Sequence, residues 1–116
     1  MEVTSKKLNR SILSALADPE MSKIIECTTL RSMSVPEIIK EIDIPHTTAY
    51  RKIKWLVDED LLIVENIIIT DDGKKYSMFR SVYRSFNVTY YLGKVEITAV
   101  PNINKQEKMA NHFFSV

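Results

Sequence analysis

The sequence predicts an α+β fold in which three to four short helices are followed by two β-hairpins and a short tail or helix. Three features predict it. Helix-start signals at Asp18-Pro19 and Ser34-Val35-Pro36-Glu37 introduce apolar residues at helical spacing. From Leu61 the spacing gives way to runs rich in β-branched and aromatic residues, and Asp71-Asp72-Gly73 and Leu92-Gly93 divide those runs into two pairs. A chain of 116 residues has room for one core and an appended element, not for two independent cores. With 45% hydrophobic and 27% charged residues and only two glycines, it falls among globular chains rather than disordered ones.

Each element has its own cause. Leu8, Ile12, Leu13 and Leu16 recur at helical spacing and set a first helix over about residues 5–17. Asp18 can accept hydrogen bonds from the first free amides of a second helix, and Pro19 at its first position loses no needed donor; this helix is expected over residues 19 to about 28. Ser34 and Glu37 form a capping box opening a third helix through about Ile42, with Ile38, Ile39 and Ile42 buried. Pro45 then stops it, because proline disfavours helical backbone in the residue before it. A fourth helix starts between His46 and Thr48 and runs to about Glu59. Two helices joined by so short a turn make a helix-turn-helix, which leaves one face of the second helix free.

The segments LLIVENIIIT and KYSMFRSVY form a hairpin closed by Gly73 at positive φ. In a second hairpin Phe86, Val88 and Tyr90 alternate with Asn87, Thr89 and Tyr91, and Val95, Ile97 and Ala99 with Lys94, Glu96 and Thr98, so one face is expected to be buried. The tail NINKQEKMANHFFSV reads either as a short helix with Met109 and Phe113 on one side or as a tether that orders on a partner.

The net charge of +1 conceals a segregation. Residues 44–57 carry +3, 58–72 carry −6 and 73–94 carry +5. A polyanion suits the basic segments, although mutual neutralisation on the folded surface explains the blocks equally well. The chain has no run of about 18 apolar residues and no apolar signal core after its first residues, so a cytoplasmic protein without a membrane segment is expected. A single cysteine, Cys27, is read as a buried apolar residue, and no metal or other cofactor is expected.

The fourth helix carries the chemistry. On a helical projection Ala49, Ile53 and Leu56 share a narrow apolar side, while Thr47, Tyr50, Arg51 and Lys54 fall opposite. Solvent alone more often selects mixed Glu and Lys pairs at four-residue spacing. A major groove asks instead for hydroxyls and forked cations that meet base edges, with phosphate near the positive helix start. His46, Thr47 and Thr48 sit at that start. Either threonine can simply cap the helix, and Tyr50 can pack on the neighbouring hairpin. Arg51 is read as a phosphate or base contact, its nearest following acid on that face, Asp58, being seven residues on. Lys52 and Lys54 are read as phosphate anchors, since a flexible point charge positions without specifying. Trp55 is expected at an edge of the core.

Taken together, ALADPEMSKIIECT, SVPEIIKEIDIPHTTAYRKIKWLVDEDLLIVEN and TDDGKKYSMFR resemble a winged helix-turn-helix transcriptional regulator of the ArsR-like kind found in archaea and bacteria, over about residues 12–81. The resemblance implies a sequence-specific double-stranded DNA-binding protein, usually a homodimer. His46, Thr47, Thr48, Tyr50, Arg51 and Lys54 match recognition-helix positions. It implies a wing at residues 67–79 with its tip at 71–75, where Lys74 and Lys75 would touch phosphate or the minor groove; Arg80, just past it, joins the DNA-binding set. Residues 1–81 form the DNA-binding domain on this reading.

Three departures stand out. Asp60 replaces the usual Gly after the recognition helix, and Asp tolerates left-handed backbone. The paired cysteines of metal-sensing members are absent, and Cys27, His46 and His112 form no ligand cluster. Residues 82–116, the second hairpin and tail, have no counterpart in the minimal domain and are assigned to dimerisation, an effector or another protein. Candidate dimer surfaces are Leu8 and Ile12 in the first helix and Met109, Phe113 and Phe114 in the tail. An enzyme is not expected, because no nucleophile with its base, carboxylate pair or phosphate loop is recognisable. The rival function is a winged helix that contacts proteins without reading DNA, since fold alone does not fix function.

Overall fold

A computed structural model describes residues 1–103. Four helices, α1 (Lys6–Ala17), α2 (Pro19–Leu30), α3 (Val35–Ile42) and α4 (His46–Asp58), precede strands β1 (Leu62–Ile69), β2 (Lys75–Ser81), β3 (Tyr83–Tyr91) and β4 (Lys94–Pro101). The strands form two separate antiparallel hairpins, β1–β2 and β3–β4. This is a winged helix-turn-helix of the α+β class with a second hairpin. Among the described residues no helix is long and apolar enough to cross a membrane.

Local chemistry sets the helix ends. Ser5 caps α1 by accepting from the Leu8 amide. Asp18 closes α1 and caps α2, accepting from the amides of Glu20 and Met21. The capping box of α3 forms as expected: Ser34 accepts from the Glu37 amide while the Glu37 carboxylate accepts from the Ser34 amide and hydroxyl. Those contacts from Ser34 hold the Glu37 carboxyl below its ordinary range. Asp43, at φ 54, ends α3 in the left-handed region, and only Asp43, Ile44 and Pro45 separate α3 from α4. Asp60, at φ 63, makes the corresponding turn after α4.

The core gathers inward faces from every helix and the roots of both hairpins. Ile12, Ile24, Ile38 and Leu56 are fully buried on the helices, and Leu61, Leu62, Val82, Tyr83, Ile97 and Ala99 join the same cluster from the hairpin side. Each such aliphatic side chain contributes about 1.5–3 kcal/mol relative to exposure. Two short pairings fasten the periphery. Met33, between α2 and α3, exchanges backbone bonds with Phe79, and residues 1–3 lie against β4 through the bonds Val3 N–H to Ile97 and Ala99 N–H to Met1. Asn102 donates its side-chain amide to the carbonyls of Thr29 and Ser81, tying the end of β4 to α2 and β2.

Three expectations change. Leu13 and Leu16 remain exposed, because Ile12 and Ala15 take the inward stripe of α1; the complete burial of Ile12 removes it as a dimer contact. In the second hairpin only the root is covered, and its outer half projects as an arm closed by Leu92 (φ 48) and Gly93 (φ 79). Positive φ at both central residues of this two-residue loop is the type I′ pattern. The tail residues Met109, Phe113 and Phe114 lie outside the described residues.

Candidate nucleic-acid interface

On α4 the inward side holds Ala49, Ile53 and Leu56, and His46, Thr47, Tyr50, Arg51 and Lys54 are exposed. Thr48 is half-buried. Neither threonine caps the helix. Pro45 occupies the cap position and no side chain bonds to the first turn, so both hydroxyls are spared that role. His46 and Tyr50 stack at 6.4 Å between ring centroids, one turn apart on the exposed side. Trp55 is half-buried against the core, as expected.

The cations of this region divide into free and tied. Among the described residues Arg51 has no ion-pair partner. Lys54 meets Asp58 at 2.9 Å, one turn on, so the face is not wholly without an acid. Both groups are exposed, and pairs of this kind are worth only about 0.3–0.5 kcal/mol.

Lys52 departs from the expected phosphate anchor. Its side chain is buried, and its ammonium donates to both Asp18 oxygens at 2.9 and 2.7 Å and meets Glu20 Oε1 at 2.9 Å. The hydrogen bond from Lys52 is the main reason the Asp18 carboxyl is held below its ordinary range, and Asp18 and Glu20 raise the Lys52 ammonium above its own. Lys52 thus fastens α4 to the start of α2. Its position three residues after Ala49 and four before Leu56 placed it on the inward stripe, a signal available in the sequence. A second tie, from Ser11 Oγ to Glu59 Oε2 at 2.6 Å, joins α1 to the end of α4; no spacing rule anticipated it.

The wing tip is zwitterionic rather than basic. Thr70 donates its hydroxyl to Asp72, lowering that carboxyl, and Lys74 lies 3.9 Å from Asp72. Gly73, at φ 83, closes the turn with its amide on the Thr70 carbonyl. Lys75 is exposed and has no ion-pair partner among the described residues. Toward its tip the wing exposes Ile67, Ile68, Ile69 and Tyr76 on its strands.

Arg80 is also turned to structural use. Its Nε donates to the Thr29 carbonyl at 3.2 Å and a terminal nitrogen meets Glu65 at 3.5 Å, where the β1 ladder slips between Val64 and Asn66. It is half-buried and engaged, which argues against the DNA contact expected of it.

Cys27 is half-buried, and burial pushes its thiol up to about 11, far from a reactive thiolate. Among the described residues no group of three or more His, Cys, Asp and Glu is arranged to hold a metal ion.

No protein-family model and no curated protein matches the chain. Its structure is similar to HlyU from Vibrio cholerae N16961. The two are 12% identical, the superposition covers 94% of each chain, and the TM-score is 0.45. The winged helix-turn-helix assignment rests on element order and on the α3–α4 turn rather than on this likeness.

Proposed function

We propose that the chain is a sequence-specific double-stranded DNA-binding transcriptional regulator, ArsR-like without metal sensing, acting as a cytoplasmic homodimer. The observation that carries this reading is the outward side of α4, where Thr47, Tyr50, Lys54 and an Arg51 without an ion-pair partner among the described residues stand exposed beyond a three-residue turn. In a major groove His46, Thr47 and Thr48 would lie at the leading end, with Tyr50 and Arg51 meeting base edges and Lys54 exchanging Asp58 for a phosphate. Lys74 and Lys75 would add phosphate contacts, that of Lys74 discounted by Asp72 beside it. Residues 1–81 form the reading domain and residues 82–116 the extension that assembles it.

Binding to a selected duplex over a salt series tests the reading. Phosphate neutralisation makes log affinity fall with log salt by about 0.9 per contact. A flat salt response together with unchanged binding in Arg51→Ala would overturn it.

A second reading, contact with another protein, is favoured by the wing. Its exposed Ile67, Ile68, Ile69 and Tyr76 and its balanced charge suit an apolar partner better than a phosphate backbone. Replacing Ile67 and Ile69 by Thr separates the two readings: DNA affinity that survives the change assigns the isoleucines to protein contact.

A further inference from the structure

The apolar side of the β3–β4 arm continues past the edge of the core. Phe86 pairs with Ala99, Val88 with Ile97 and Tyr90 with Val95, so these six side chains share one face. Ile97 and Ala99 are sealed in the core and Phe86 is half-buried against it. Val88 and Val95 stand in solvent, as do Tyr90, 72% exposed, and Leu92 at the turn, 81% exposed. At the arm's root lies an open groove of about 350 Å³ with an apolar floor of Leu16, Ile25, Leu30 and Phe86 among the polar residues Ser22, Glu26, Thr29 and Arg84. Leu30 is 89% exposed there. One chain therefore carries an apolar ridge and, an arm's length away, a groove with an apolar floor.

We propose that ridge and groove are the two halves of one interface between two copies of this chain. A two-fold axis crosses the paired arms near Val88, and Tyr90, Leu92 and Val95 of each copy enter the groove of the other. The proposal rests on the homodimer reading above and names its surface.

Three arguments select a second copy. A surface that contains both a projection and its receptor closes under two-fold symmetry and leaves neither half over. The ridge brings no charge of its own into the groove, because Lys94 and Glu96 alternate with Val95 onto the other face of the ribbon. The area is also adequate. An aromatic side chain buries about 150–250 Å², and Tyr90 with Leu92, Val88, Val95, Leu16 and Leu30 brings the patch toward the roughly 800 Å² per partner of a standard interface. Nucleic acid is a poor occupant, because none of the six residues on the stripe is a cation. A free two-stranded ribbon is marginal in water, so cover by a second copy also supports the arm itself.

The test uses the full chain in a Cys27→Ala background. A Tyr90→Cys chain is mixed with a Leu30→Cys chain under mild oxidation. A disulfide-linked heterodimer is expected in the mixture and not in either variant alone. In light scattering the wild-type chain is expected to be a dimer, and Tyr90→Glu and Leu30→Glu each to raise its dissociation constant about thirtyfold or more, as for a central anchor. Both positions are exposed, so the circular dichroism of the variants should match wild type. A monomeric wild-type chain overturns the proposal and gives the patch to another occupant, residues 104–116 or a different protein. A dimer indifferent to both substitutions keeps the homodimer reading and overturns this surface. Loss of duplex binding by an intact dimer would count against DNA reading alone.

Discussion

Arg51 and Lys52 are neighbours in sequence, yet they serve opposite sides of α4. Arg51 stands in solvent with no ion-pair partner among the described residues, whereas Lys52 is buried against two carboxylates. Around Lys52, Ala49, Ile53 and Leu56 are sealed in the core; around Arg51 are Thr47, Tyr50 and Lys54, none of them buried. The inward side holds the helix at a fixed attitude, and the outward side is spared from holding anything. Positive charge alone therefore says little about a residue's role: a cation that is already satisfied is part of the frame, and an unsatisfied one is open to a partner.

The division can be broken or sharpened by substitution. Leu56→Ala should have the largest effect, a loss of about 2–5 kcal/mol in urea or thermal unfolding, because a fully buried side chain leaves a cavity. Lys52→Met should cost less, about 1–2 kcal/mol. Removing one partner of a buried pair costs about 3–5 kcal/mol when both ions are enclosed, but Asp18 and Glu20 retain 28% and 39% of their side-chain exposure. The salt dependence of DNA binding should be unchanged in this variant; a slope reduced by one contact with stability intact would restore Lys52 to the phosphate anchors.

Arg51→Ala should leave unfolding within about 0.5 kcal/mol of wild type. On its preferred duplex it should cost about 1–3 kcal/mol, with less on unrelated sequences. Equal loss on every duplex would demote Arg51 from reading to anchoring.

The pH response follows from the Lys52 cluster. Asp18 has a lowered folded-state pKa, so its contribution is present above its unfolded value, near 3.9, and fades as pH falls through the folded one. Lys52 has a raised folded-state pKa, so its contribution is present below its unfolded value, near 10.4, and fades as pH rises through the folded one. The stability gap between wild type and Lys52→Met should thus be constant around neutrality and narrow below about pH 4, measured as urea midpoints. Smallest of all, the paired change Lys74→Ala and Lys75→Ala should reduce the salt slope by less than two contacts, because Asp72 already compensates Lys74.

Much of this was legible beforehand, for local reasons. Asp18-Pro19, Ser34 with Glu37, Gly73 and Leu92-Gly93 act through hydrogen bonds and φ values spanning only a few residues, and each formed where the sequence placed it. The exposed side of α4 was legible because helical spacing alone separates Thr47, Tyr50, Arg51 and Lys54 from the core. Helical spacing puts Lys52 on the inward stripe, but what it meets there, Asp18, and the Thr29 carbonyl that takes Arg80, are brought near only by tertiary packing, so the charge of both residues reads as free in the sequence. The second hairpin misled in another way. Its alternation is genuine, but a period of two states that a face is apolar without stating how far along the strand a core extends to meet it.

Leu92 closes that hairpin at φ 48, a conformation that costs a residue with a Cβ about 1 kcal/mol and that Asn or Gly would adopt more easily. The turn is therefore a poor nucleus. The ladder is better secured at its root, where Ile97 and Ala99 are held in the core and residues 1–3 add a short bridge to β4. Pairing then zips outward on folding and frays inward at equilibrium, so amide exchange along the arm should act as a ruler, fastest at Tyr91 and slowest near Ala99. A ribbon that loosens from its far end can adjust its tip to a partner while its base stays in register.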